Sequence, residues 1–248
     1  MIILKSFRFV LLTGICLYLS SCGNNNSSTD QSKTDTVATT STTTETKPAP
    51  VSTIITTPQN MMVVIHKVGN YTKWKSAYDS DDTARTANGI HNYVIGRGVK
   101  DSNMVLVALK IEDTAKAMAF AKNPALKKTM AKGGVMGAPK AIFYTAVYQD
   151  TATIDSKLRS SVTFTVKDWD TWYKNFQGGA QERTNNGIAI RSYGHDANDP
   201  HKVRVVTALV DSAKAMAYFQ SDSLKKRMQA SGVIGKPDRF IYRITERY

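Results

Sequence analysis

The residues of this 248-residue chain whose types and spacing best suit chemistry are Arg191, His195, Arg204, Arg239 and Arg243. Side chains alternate along a strand. Counting by twos therefore sets Arg191, Tyr193 and His195 on one side of one strand, and Arg239, Ile241 and Arg243 on one side of another. Phe240, Tyr242 and Ile244 are expected to face helices, which turns the arginines the other way. Arg204 is expected to join them, because Val203 and Val205 read as core. A planar guanidinium makes two parallel hydrogen bonds to a carboxylate or phosphate, so the expected chemistry is capture of an anion. The alternative is a wet rim, with these arginines paired to Asp196, Asp199 and Glu246.

His66 is a second candidate: one polar residue in the apolar stripe of a strand, able to act as a pocket base, a haem ligand or a hydrogen-bonded core histidine. Arg85 and Arg183 sit near the C-terminal end of a helix in matching contexts. There a cation meets the negative end of the helix dipole and its last carbonyls, and a pocket role is the alternative. His195, Asp196, Asp199 and His201 could hold a metal if their hairpin closed. Acidic turns are common without one, so no metal is expected. Trp74, Tyr78, Trp172 and Phe176 fall at helical spacing and read as core. The sequence carries no Ser-His-Asp arrangement in a supporting context, no phosphate loop and no His-Glu-x-x-His.

The elements that must position these residues occur twice. A shift of 98 residues aligns the two halves without a gap, placing Trp74 on Trp172 and Arg85-Thr-Ala-Asn-Gly-Ile90 on Arg183-Thr-Asn-Asn-Gly-Ile188. It also sets Leu126-Lys-Lys-Thr-Met130 on Leu224-Lys-Lys-Arg-Met228, and Gly134-Val-Met-Gly-Ala-Pro139 on Gly232-Val-Ile-Gly-Lys-Pro237. Each copy, 59–150 and 157–248, is expected to read β-α-β-β-α-β. In the first copy a strand over 62–68 leads into a helix capped by Asn70 and stopped at Gly89. Strands over 90–98 and 104–111 follow, then a helix capped by Asp113 and broken at Pro124, then a strand over 140–148. Asp168, Gly187 and Asp211 do the same work in the second copy.

That order is the split βαβ of ferredoxin-like modules. Each copy resembles the dimeric α/β-barrel superfamily: a Trp and a Phe or Tyr in helix one, an Arg before the Gly turn, Leu-Lys-x-x-Met and Gly-Val-x-Gly-x-Pro near the end. Asp199-Pro200-His201 matches the turn between strands two and three, and Asp101-Ser102-Asn103 departs from it. The resemblance covers nearly all of 61–248. It implies an α+β fold in which two four-stranded sheets pack face to face inside one chain, helices outside, with no second chain required. It also turns the arginines toward the first copy, making a basic, partly aromatic cleft at the barrel mouth. The superfamily includes cofactor-free monooxygenases, haem-dependent enzymes and isomerases, so it specifies fold more narrowly than activity.

The N-terminal residues speak to location. Lys5 and Arg8 precede an apolar run over 9–18, too short to span a bilayer, and Leu19-Ser-Ser-Cys22 resembles a bacterial lipobox. The expectation is a leader over 1–22, a lipid on Cys22, and a disordered Ser/Thr-rich tether over 23–58 holding the modules outside the cytoplasm. The two cysteines are Cys16 and Cys22, which leaves no disulfide in a processed chain. Net charge is +13, which favours anionic headgroups, glycans or small molecules; nucleic acid is not expected outside the cytoplasm. The reading is an envelope lipoprotein that binds a small anionic or aromatic ligand without a cofactor. A cofactor-free monooxygenase or isomerase with His66 or Arg85 in its pocket is one alternative, and an envelope protein-interaction module is another.

Overall fold

The computed structural model describes residues 52–248; the expected leader, Cys22 and most of the tether lie outside them. Strand β1 (Ile54–Ile55) falls within the expected tether and pairs with Asp150 and Gln149. The first module follows as β2 (Gln59–Val68), α1 (Tyr71–Ser80), α2 (Asp82–Ala87), β3 (Ile90–Gly98), β4 (Met104–Ile111), α3 (Thr114–Ala121), α4 (Pro124–Lys132) and β5 (Val135–Asp150). The second repeats it as β6 (Leu158–Val166), α5 (Trp169–Gly178), α6 (Ala180–Asn185), β7 (Ile188–Asp196), β8 (Lys202–Leu209), α7 (Ser212–Gln220), α8 (Asp222–Ala230) and β9 (Val233–Arg247).

Local chemistry sets these boundaries. The side chains of Asn70, Asp113, Asp168 and Asp211 each accept a hydrogen bond from the backbone N–H three residues on, closing the open donors of a first helical turn. The first expected helix of each module is two. α1 ends at Ser80 and α5 at Gly178, and Asp81 and Gly179 begin the next turn off-axis. Gly187 has φ +65°, and a Cβ there would run into the Asp211 side chain, so both the turn and the close approach require glycine.

All strand pairs are antiparallel, and they close. Hydrogen bonding runs β5-β2-β4-β3-β9-β6-β8-β7 and returns to β5. Closure is reciprocal. The far end of β5 leaves its own module to pair with β7, and the far end of β9 leaves the second module to pair with β3. These two strands are 16 and 15 residues long and begin earlier than the sequence pattern implies. Both ends of each sheet are thereby paired, which leaves little open edge for another chain. One face of the closed sheet lies under the helices; the other is the barrel interior.

Alternation sorts the side chains between these faces. Met62, Val107 and Leu109 meet Trp74 beneath the first module's helices, and Val162, Phe164 and Val205 meet Trp172 beneath the second's. Met61, Val63, Leu106, Tyr144 and Tyr242 fill the interior, with Phe240 and Ile244 beside them. The expectation for the last strand is thus reversed: Phe240, Tyr242 and Ile244 face the lumen and Arg239 faces the helices. Both faces are buried, so apolarity alone does not say which is which.

Candidate functional site

Each module holds a cleft between its helices and the outer face of its sheet. In the first, strand alternation carries Met62, Val64 and His66 toward the helices. Trp74 and Tyr78, four apart on α1, cover them, α2 supplies Arg85, and α4 supplies Leu126 and Met130. They enclose about 80 Å³. A hollow of about 420 Å³ between α4 and β5 adjoins it, sharing Met62, Val64, Leu126 and Met130 as its wall.

His66 lies at the inner end. It is 4% exposed, and neither ring nitrogen has a hydrogen-bond partner among the described residues. Its ring sits 5.4 Å from that of Trp74. Burial holds its pKa down to about 4, so at neutral pH it is an uncharged imidazole with one donor and one acceptor unused. Leaving such a group unpaired costs roughly 1–3 kcal/mol. The hydrogen-bonded core histidine weighed from sequence has no partner among the described residues.

Arg85 is tied down more firmly. Its Nη1 donates to the Tyr78 carbonyl at 2.6 Å and its Nη2 to Asp82 at 3.0 Å, and the guanidinium lies 3.7 Å from the centre of the Tyr78 ring. Nε lines the cleft unpaired. Arg183 repeats this in the second module, donating to the Phe176 carbonyl at 2.6 Å, with its guanidinium 4.0 Å from the Phe176 ring. Both arginines satisfy carbonyls at the end of a helix, as their position suggested, and both also line a cleft.

The second cleft has the same outline and other chemistry. It encloses about 90 Å³ and meets a hollow of about 460 Å³ edged by Ser221, Lys225 and Lys236. Phe164 replaces His66, and polarity comes instead from Arg183, Arg239, Thr207 and Ser231. The Arg239 guanidinium lies 3.7 Å from the Phe219 ring and donates to Ser160 Oγ at 2.7 Å; burial lowers its pKa to about 10. Thr207 Oγ1 and Arg183 Nε have no hydrogen-bond partner among the described residues.

The five basic residues grouped from sequence are not brought together. Arg191 and Arg204 line the barrel interior, Arg239 the second cleft, and Arg243 is exposed. His195 stands edge-on to Trp169, with ring centroids 5.1 Å apart, and its Nδ1 meets the Asp196 carbonyl at 3.0 Å. Arg191 and Arg204 do share the side turned toward the first module; a β-bulge between Ile190 and Ser192 parts Arg191 from Tyr193 and His195, which leave the strand on the opposite face, and the reversed facing of β9 parts Arg239 from them. The interior also holds Arg159, which sequence reasoning missed. Extending the Val162, Phe164, Val166 alternation back to 159 would have placed it opposite the helices.

His201 lies apart from His195, its Nδ1 at the Val166 carbonyl, and no cluster of three metal-ligating side chains occurs among the described residues. Haem, raised by His66, would have to reach the imidazole from the adjoining hollow of about 420 Å³, because the space beside the ring itself is about 80 Å³ and Trp74 flanks it.

No protein-family model matches the chain, and no curated protein matches it. Solved structures do. A protein described as anthrone oxidase-like superposes with a TM-score of 0.51 at 10% identity, over 80% of this chain and 95% of its own. A candidate monooxygenase from Fusobacterium nucleatum subsp. nucleatum gives 0.50 at 13% identity, over 76% and 93%. A haem-binding protein from Thermus thermophilus gives 0.48 at 7% identity, over 78% and 93%. The first two share the fold found here, a ferredoxin-like dimeric α/β barrel, here closed within one chain.

Proposed function

We propose that this chain is a lipid-anchored, extracytoplasmic binding protein for a small aromatic or anionic molecule, with two diverged helix–sheet clefts. The observation that carries the reading is His66, a neutral imidazole with both nitrogens unpaired at the inner end of an otherwise apolar cleft. A buried polar group of that kind suits a ligand that carries both an aromatic body and a hydroxyl or carbonyl. The ring would lie against Trp74 and Tyr78, and its oxygen would meet the imidazole. The second cleft, with Arg183 and Arg239, suits an anionic counterpart.

The test is calorimetric titration of the full chain, in detergent, with 2-naphthol, which offers a ring and one hydroxyl. Saturable binding weakened at least tenfold by His66→Phe, and untouched by Arg239→Ala, is the expected result. Absence of binding, or equal binding by His66→Phe, overturns it.

Anchoring rests on the Leu19-Ser-Ser-Cys22 pattern behind a short basic and apolar leader. No described helix is long and apolar enough to cross a membrane. Cys22→Ser is expected to move the protein from the membrane fraction to the soluble fraction on cell fractionation, and retention in the membrane would refute lipid attachment.

One observation favours a catalytic second reading. An imidazole kept unprotonated at neutral pH can take a proton from a bound phenol or activated methylene, the first step of cofactor-free oxygenation or isomerisation. The anthrone oxidase-like neighbour is consistent with such a substrate class. Because burial opposes the imidazolium, this step needs the resulting anion held beside it.

A further inference from the structure

The barrel interior is divided by module. The first contributes the apolar Met61, Val63, Val94 and Leu106, together with Tyr144, Gln149 and a single carboxylate, Asp150. The second contributes Arg159, Arg191 and Arg204. Under the 98-residue repeat, these arginines stand where the first module has Met61, Tyr93 and Leu106. They surround a cavity of about 50 Å³ whose polar wall is completed by Tyr144, Tyr242 and Ser192. This is the sheet face opposite both clefts.

The charges there do not balance. Arg191 meets Asp150 at 2.9 Å and donates to the Ala152 carbonyl. Arg159 donates only to the carbonyls of Ser156 and Leu158. Arg159 and Arg204 are each 3% exposed, and neither forms an ion pair with a described residue. Among the described residues the Nε of Arg204 and the Oγ of Ser192 meet no well-aligned hydrogen-bond partner, although the Tyr144 hydroxyl lies within reach of both side chains. One carboxylate thus answers three enclosed guanidinium groups. Burial pulls the pKa of Arg159 and Arg191 down, yet a guanidinium does not give up its proton in a protein, so the charge stays and one carboxylate and a few carbonyls offset only part of its desolvation. The same barrel closes around Met, Tyr and Leu on its other side. Structure alone does not demand arginine here.

We propose that the lumen binds one small oxyanion, of the size of phosphate or sulfate, between Arg159 and Arg204, with the Ser192 hydroxyl donating and Arg191 completing the positive wall. One ordered water needs roughly 10–15 Å³, so about 50 Å³ takes a few waters or one tetrahedral anion and excludes a lipid or nucleotide. Arg247, exposed and lining the same cavity, marks the end by which it reaches solvent.

The test is thermal unfolding of the full chain in millimolar sodium phosphate against sodium chloride of equal ionic strength. The expected midpoint rise is saturable and reaches about 5–10 °C at a phosphate concentration one hundred times the dissociation constant. The double variant Arg159→Met/Arg204→Leu installs residues that this barrel already packs at the equivalent positions of the first module. It should melt at one temperature in both salts. Lys116→Ala, at an exposed position of α3 that lines none of these cavities, should keep the full rise. Three results overturn the proposal: no phosphate-specific rise in the wild type, a rise that survives in the double variant, which would be general anion exclusion, or a rise lost in Lys116→Ala. If the double variant does not fold, Arg204→Leu alone reads the same difference.

Discussion

Trp74 and Trp172 occupy matching places and do matching work. Each is almost fully buried, each stacks on an aromatic residue one helical turn along, and each covers the outer face of its own sheet. His66 and Phe164 also match in place and differ in everything else. The first is an unpaired imidazole in a cleft; the second is apolar filling beside Trp172. The same holds for Ala141 against Arg239 on the outer face, and for Leu106 against Arg204 in the lumen. Two copies of one skeleton have kept their packing anchors and exchanged the residues that line their cavities. Polarity went one way at the inner end of the first cleft and the other way in the second module's cleft and lumen. Fusion permits this, because a chain that pairs with itself need not make both halves of its barrel alike.

That comparison can be pressed hardest at the anchors. Trp74→Ala and Trp172→Ala should each cost about 3–5 kcal/mol, measured by denaturant unfolding. Costs differing by more than about 2 kcal/mol would mean that the modules do not share one packing scheme.

The next effect concerns His66. Its folded pKa of about 4 lies below the unfolded value of about 6.5. The unfolded chain therefore binds a proton that the folded chain refuses as pH falls from about 6.5 toward 4, and stability declines over that window. His66→Phe, which copies the second module, should remove roughly 3 kcal/mol of that decline in the wild-type-minus-variant difference. Phe164→His should introduce the same slope in the other half. A difference curve flat between about pH 4 and 7 would show that His66 is paired or solvated in solution.

The smallest effect tests likeness again. Asp113→Ala and Asp211→Ala each remove one helix N-cap and should each cost about 1 kcal/mol, lowering the melting temperature by a few degrees and by equal amounts.

Much of this molecule was legible without its structure. The duplication, the β-α-β-β-α-β order, the four capping residues and the tryptophan cores follow from local rules: caps sit beside the backbone donors they satisfy, and helical spacing brings Trp74 over Tyr78 whatever lies beyond. His66 was visible as a lone polar residue in an apolar stripe, and so were Arg85 and Arg183 at their helix ends. Alternation along β9 correctly separated Arg239 from Tyr242. It could not say which face met the helices, because in a closed barrel covered by helices both faces are dry. One bulged residue in β7 then reversed the relation between Arg191 and Tyr193, so a set of basic residues that looked like one cleft was divided among the lumen, the second cleft and the surface. Whether the His66 imidazole would find a partner depended on how the first module's helices settled over its sheet, and whether three arginines would share one carboxylate depended on which strands the ends of β5 and β9 chose. Pairing across the module boundary is a long-range event, and only the folded chain decides it.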